Sequence, residues 1–286
     1  MNRIPPALSH LLATALAFFT PQSGGSPNAN SIDSLYKITL YVALAIFVLV
    51  EGALGYALWR FRARKGAVAA QIRGNTRLEV GWTVGAAAIL LALAVLTFAK
   101  LSSIQDPVNS GPEGEHLVGD GARLYASNTP KLPPNGRSLK ILVVGRQFVW
   151  QYVYPGASEA DGLGAPYSYE EMVVPTDTTV TLDIVSADVV HSWWVPRLGG
   201  KFQALPGYHN YTWFKIEKPG VYRGQCALLC GRGHARMIAT VRAVTPAQYE
   251  AWLANQKKEI AEANADAQVA RAKLGRQIGA GQVENP

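Results

Sequence analysis

Cys226-Ala227-Leu228-Leu229-Cys230-Gly231-Arg232-Gly233-His234-Ala235-Arg236-Met237 gathers both cysteines of the chain, a histidine and a methionine into twelve residues, spaced Cys-x3-Cys-x3-His-x2-Met. A further imidazole, His191, lies 35 residues upstream, at the end of a predicted strand in Ser186-Ala187-Asp188-Val189-Val190-His191. A disulfide closing so short a loop would remove little unfolded-chain entropy. Structural zinc would use Cys and His and leave Met237 idle. A mononuclear copper site takes one Cys, two His and a weak axial Met, which leaves a thiolate over. Two bridging thiolates, two imidazoles, a thioether and a backbone carbonyl make six donors, which suits a pair of copper ions with one terminal His each, and soft sulfur favours copper.

Outward from this loop the hydrophobic period is two. Leu139-Lys140-Ile141-Leu142-Val143-Val144, Val149-Trp150-Gln151-Tyr152-Val153-Tyr154, Thr179-Val180-Thr181-Leu182-Asp183-Ile184-Val185 and Tyr211-Thr212-Trp213-Phe214-Lys215-Ile216 predict strands. Turns are marked at Pro155-Gly156, Pro206-Gly207 and Pro219-Gly220. The pattern predicts a small β-sandwich or barrel over 138–244. Residues 104–137, with Asp106, Pro107, Gly111, Pro112 and Pro130, read as a linker and surface excursion. In 245–286, Thr245 is a candidate N-cap and Pro246 the first helical residue, with Tyr249, Trp252 and Leu253 as the docking face. The rest of that segment reads as a solvated helix or loose tail.

Toward the N-terminus lie two stretches too apolar for surface helices. Glu51 is the one charge in 38–59, and 80–99 has none. Each can span a hydrocarbon core of about 30 Å. A hairpin over 31–103 is expected, with helices at about 36–60 and 79–101. Arg60, Arg62, Arg64, Lys65, Arg73 and Arg77 fill the intervening loop, which the positive-inside rule makes cytoplasmic, so the β domain is expected outside the cell membrane. Residues 1–30 carry Arg3, an apolar run at 11–19, then Pro21, Gly24 and Gly25, the layout of a signal peptide or else a disordered tail. Of 286 residues only 16% are charged, and 27 Lys+Arg against 20 Asp+Glu give +7. A nucleic-acid-binding or disordered chain would be richer in charge, so no nucleic-acid partner is expected. Absence of Cys-x-x-Cys-His rules out covalent haem.

With these segments in place, the chain resembles subunit II of the haem–copper cytochrome c oxidases, the subunit bearing the binuclear copper centre CuA. Asp188-Val189-Val190-His191-Ser192-Trp193 is similar to the first ligand segment of that family, 201–207 to its Pro-Gly turn, and Gly224-Gln225-Cys226 through Met237 to its ligand loop. The resemblance implies an α+β membrane protein, a two-helix transmembrane hairpin followed by a cupredoxin-like β-sandwich. It implies that Cys226 and Cys230 bridge two coppers, that His191 and His234 each cap one, and that Met237 and the carbonyl of Leu228 are weak axial ligands. Asp188 would support the ligand strand. Cytochrome c or another small donor would supply electrons, which pass to a haem in subunit I, where oxygen reduction and proton pumping occur.

Three positions depart from or extend the family pattern. The Glu usual between the cysteines is Leu228, and a nearby Asp is Gln203, so the interfacial Mg site of the family is not expected to draw a carboxylate from this chain. In Gly145-Arg146-Gln147-Phe148-Val149-Trp150-Gln151-Tyr152 the family's first Trp, where electrons come in, is Phe148, while Trp150 is kept. Glu79 in Glu79-Val80-Gly81-Trp82-Thr83 matches the family's Glu at the mouth of a proton pathway; a carboxylate stabilised at a helix N-terminus is the plainer reading. Glu51, inside the first span, needs a partner, with subunit I the candidate. His116 and His209 read as surface or turn residues. The competing function is a copper-free, quinol-oxidase-type subunit II, which lacks the ligand set present here. A nitrous-oxide-reducing enzyme would need a further His-rich cluster, and five histidines do not supply it.

Overall fold

Two long helices occupy the N-terminal third of the computed structural model, which describes residues 24–63, 66, 68, 71, 73–120, 131–156 and 165–281. Helix α1 is Pro27–Arg60 and α2 is Thr76–Gln105. At about 1.5 Å per residue they measure about 51 and 45 Å, more than a hydrocarbon core requires. Their apolar side chains, among them Leu44, Phe47, Leu49, Leu90, Leu91 and Phe98, are exposed. Such surfaces are stable only in lipid or against partner helices. Both helices outrun the expected limits of 36–60 and 79–101, because polar residues at their ends continue the helix without a breaker. Asn75 caps α2, its Oδ1 accepting from the Leu78 N–H at 3.2 Å, and the Glu79 carboxylate accepts from the Asn75 N–H at 3.2 Å.

The chain divides into two compact units, one containing 30–104 and the other 23–29 with 105–286. In the second unit, Gly119–Asp120 (β1), Arg137–Arg146 (β2), Val149–Val153 (β3), Tyr167–Tyr169 (β4), Thr179–Ser186 (β6) and Asn210–Lys215 (β9) form one sheet, ordered β4-β3-β2-β6-β9 with β1 beside β2. The pair β2 and β6 runs parallel; the others are antiparallel. A second sheet orders Gly220–Gln225 (β10), Ile238–Val244 (β11) and Glu171–Pro175 (β5). His191–Trp193 (β7) and Phe202–Ala204 (β8) make a separate ribbon. The buried side chains Leu139, Ile141, Val143, Val180, Leu182 and Ile184 of the first sheet join Met172, Val174, Ala239, Val241 and Tyr222 of the second in one core. Alternation along each strand produces this: one face is apolar, and the sheets close on each other. The result is a cupredoxin-like β-sandwich.

Two segments expected at the periphery are built into this unit. Ser26, Asn28 and Ala29 are buried; Asn28 Nδ2 donates to the Trp213 carbonyl at 2.7 Å, and Ser26 Oγ accepts from the Lys215 N–H at 3.1 Å. Residues 24–29 therefore belong to this unit, within the stretch 1–30 expected as a signal peptide or tail. That expectation for 1–23, together with Arg64 and Lys65 of the basic loop, 121–130 of the linker and the 282–286 tail, lies outside the described residues. The linker also contributes: Ser110 accepts from the Thr179 N–H at 2.9 Å, and Val118 is buried in the core. Pro246–Gly281 (α3) begins as a capped helix, Thr245 Oγ1 accepting from the Gln248 N–H at 3.4 Å and Gln248 Oε1 from the Thr245 N–H at 3.1 Å. Tyr249 is buried, and Trp252 packs edge-on against Tyr154, ring centroids 4.9 Å apart.

Candidate metal centre

Two segments meet at one end of the sandwich. One is β7 with the residues before it; the other is the loop between β10 and β11. Backbone hydrogen bonds fasten them: the Ala227 N–H donates to the Ser192 carbonyl at 2.9 Å and the Cys226 N–H to the Met237 carbonyl at 2.9 Å. Met237 thus folds back beside Cys226 although eleven residues follow one from the other in sequence. Side chains converge accordingly. The ligating atoms of His191, Cys226 and Cys230 lie within 4.8 Å of one another. Cys226 Sγ is 3.9 Å from Cys230 Sγ and 3.2 Å from the Leu228 carbonyl oxygen. Cys230 Sγ is 3.6 Å from His234 Nδ1 and 3.9 Å from Met237 Sδ.

The electrostatics suit ligation. Burial raises the cost of a thiolate at Cys226, yet hydrogen bonds from His191, from the Ser192 and Leu228 N–H groups and from His234 outweigh it and bring the thiol down to about 6. Burial and the adjacent Cys226 charge push Cys230 up to about 11. One thiolate therefore forms easily and the second resists until a cation arrives. Both cysteines are free and buried. His191 is fully buried; its Nε2 sits 2.9 Å from Asp188 Oδ1, which leaves Nδ1 to face Cys226. Desolvation opposes the charged form of His191, but Cys226 and Asp188 more than compensate, so its pKa rises. Burial acts against the Asp188 carboxylate too, yet the Gln147 N–H, His191 and the Val189 N–H hold it below the usual range. An imidazole held by a carboxylate through one nitrogen, with the other facing a thiol, is oriented as metal ligands are.

Sequence reasoning passed over the hairpin that closes this site. Gln147 donates from its N–H to Asp188 Oδ2 and from Nε2 to the Cys230 carbonyl, both at 2.7 Å. Its place between Arg146 and Phe148 in the aromatic motif carries no local sign of these long-range contacts. Gly145 makes room for the His191 ring: a Cβ there would stand 2.9 Å from His191 Cδ2 and 3.1 Å from Trp150. Trp150 is fully buried, its ring edge-on to His191 with centroids 5.8 Å apart. Half-buried Phe148 lies over the ligand loop, where a Cβ at Gly233 would come within 2.4 Å of its ring. Glu79 is placed at the head of α2 as a helix cap, in the other unit. His116 is exposed beside Glu250 at 3.3 Å, whereas His209 pairs with a buried carboxylate, a partner the sequence did not announce.

Family models agree with this arrangement. Residues 139–244 match the model for the periplasmic domain of cytochrome c oxidase subunit II, and 13–99 the model for its transmembrane domain. Cytochrome c oxidase subunit 2 of Cereibacter sphaeroides is 31% identical over 271 residues, covering 82% of this chain and 80% of its relative. The chain belongs to the cytochrome c oxidase subunit II family. The Arabidopsis thaliana subunit 2 is 30% identical over 254 residues, 82% of this chain and 88% of the plant protein. A solved periplasmic domain of subunit II (CoxB) from Bradyrhizobium japonicum is 33% identical, covers 43% of this chain and 95% of that domain, and aligns with a TM-score of 0.39. As a subunit II, the chain is one part of a haem–copper oxidase, an oxidoreductase complex, and membership brings other oxidase subunits and a membrane with it.

Proposed function

We propose that the β domain takes electrons singly from cytochrome c or a comparable small donor and delivers them to a haem of subunit I, where oxygen is reduced and protons are pumped. The observation that carries this reading is the donor set: two thiols, two imidazoles, a thioether and a carbonyl drawn together at one end of a rigid sandwich. A copper pair bound there would supply one-electron storage spread over two ions. His191, His234, Cys226 and Cys230 would be the principal residues holding that pair, with Met237 and the Leu228 carbonyl as weaker donors. Asp188 keeps His191 Nδ1 aimed at Cys226 by engaging Nε2. Both thiols and His191 are buried, which excludes water and limits rearrangement around the ligands. Phe148, lying over the ligand loop, and Trp150, against His191, would form the route by which electrons come in.

The same reading puts the basic loop in the cytoplasm and the β domain outside the cell membrane, over domains at 31–103, 104–137, 138–244 and 245–286. Glu79 would stand at the cytoplasmic mouth of a proton path in addition to capping α2, and Leu228 and Gln203 would leave any interfacial Mg without a carboxylate from this chain. Copper analysis with electron paramagnetic resonance of the purified full chain tests the proposal. Two coppers and a seven-line mixed-valence signal are expected, and Cys226→Ser should abolish the signal while leaving the β fold intact. A chain that takes up no copper after reconstitution would instead be a structural subunit of the quinol-oxidase type.

A further inference from the structure

Asp183 is a fully buried carboxylate on the face of β6 away from the sandwich core, and nothing in the ligand set uses it. Its Oδ1 lies 2.6 Å from Nδ1 of His209, whose side chain is 27% exposed; its Oδ2 has no hydrogen-bond partner among the described residues. The groups facing it are His209 from the turn before β9, Tyr211 directly opposite on β9, and Lys140 on β2. The Tyr211 hydroxyl is also buried without a partner among the described residues. A carboxylate so placed is costly unless its one good contact matters.

That contact fixes the turn at 205–209, and the turn touches the His191 segment on both sides. On one side, Leu205 accepts from the Ser186 N–H at 3.2 Å; Ser186 Oγ contacts the Val189 carbonyl and accepts from the Asp188 N–H at 3.2 Å; Asp188 holds His191. On the other side, Ala204, next to the turn, is the β8 residue paired with His191 itself. We propose that Asp183 and His209 are positioning residues for His191, forming a clasp that holds the 205–209 turn and thereby the strand that presents the ligand. This rests on the reading of His191 as a metal ligand. The hydrogen bond between His209 Nδ1 and Asp183 Oδ1 ties the turn to β6.

Cobalt(II) titration of the reduced, metal-free full chain in detergent, followed by visible absorption, tests the clasp. His209→Leu, which removes the contact, should weaken cobalt binding roughly tenfold, the low end for groups that support a ligand, and alter the absorption bands. His209→Gln, whose side-chain amide can still donate to Asp183, should restore most of the affinity and the bands, and Asp183→Asn, whose amide oxygen still accepts from Nδ1, should stay near wild type. Circular dichroism checks folding, and His209→Ala carries the test if His209→Leu does not fold. Wild-type affinity and bands in His209→Leu, or a His209→Gln chain as weak as His209→Leu, overturns the clasp. Wild-type chain that takes up no cobalt overturns the metal-centre reading as well, so the two failures are distinguishable.

Discussion

Replacing Gly145 by Ala is the sharpest test of how the backbone makes space for His191. The added Cβ would lie 2.9 Å from His191 Cδ2 and 3.1 Å from Trp150 Cζ3. Against a carbon contact distance of about 3.5 Å, these fall short by about 0.6 and 0.4 Å. Neither ring can yield into solvent, because both are fully buried, and Gly145 is itself paired with Trp150 across the β2/β3 ladder. Under the proposed reading of His191 as a copper ligand, it has to be held within about 0.5 Å of working geometry, and the displaced ring leaves that tolerance. Overpacking of this kind costs about 1–3 kcal/mol, which for a unit near this size lowers the melting temperature by roughly 2–4 °C per kcal/mol. Calorimetry and copper loading of the full chain should therefore show a melting temperature lower by several degrees and a weakened or altered paramagnetic signal. A Gly145→Ala chain that melts within a degree of wild type and gives an unchanged copper signal would refute the close approach on which this reasoning stands.

Titration of thiolate absorbance in the metal-free chain should show one ionisation near pH 6, absent in Cys226→Ser, and a second near 11; a shared step close to the ordinary thiol value of about 8.5 would contradict the hydrogen bonds from His191 and the Ser192 and Leu228 N–H groups to Cys226. Because the depressed group is a thiol, its charged form is present above pH 6 and lost as pH falls through it, so metal uptake should decline steeply below about 6. Asn28→Ala leaves the Trp213 carbonyl without its side-chain donor and should destabilise the β unit by about 1–3 kcal/mol, read as a lower denaturation midpoint. If a leader is removed from the chain, intact mass should place the cut before Gly24, since Ser26 and Asn28 are buried in the fold; a mature chain starting after Asn28 would disprove that role. Thr245→Ala should cost about 1 kcal/mol through the lost cap of α3, measured by thermal unfolding.

What could be read in the sequence followed from local rules. Apolar runs of about twenty residues with at most one charge are stabilised by lipid or by other helices, so α1 and α2 were legible without a partner in view. The four predicted strands correspond to β2, β3, β6 and β9, and all four belong to the larger sheet, whose alternation is regular. The second sheet was not predicted: β10, Gly220-Val221-Tyr222-Arg223-Gly224-Gln225, has two glycines and two polar residues, and β5 ends in Pro175, so propensity alone marks neither. The ligand loop was legible because its four donor side chains lie within twelve residues.

Tertiary structure decided the rest. Nothing local brings His191 to Cys226; the Ala227-to-Ser192 hydrogen bond and the enclosure of both in one core do so. The same is true of Gln147 reaching the Cys230 carbonyl across 83 residues, of Asn28 reaching Trp213 across 185, and of Asp183, an ordinary solvent-face residue by its strand position, made a buried partner of His209 by the turn that folds over it. Residue type and spacing determine which chemistry is available. Hydrogen bonds and burial between distant segments determine which of those groups meet, because only the closed sandwich removes enough water to set their charge and orientation.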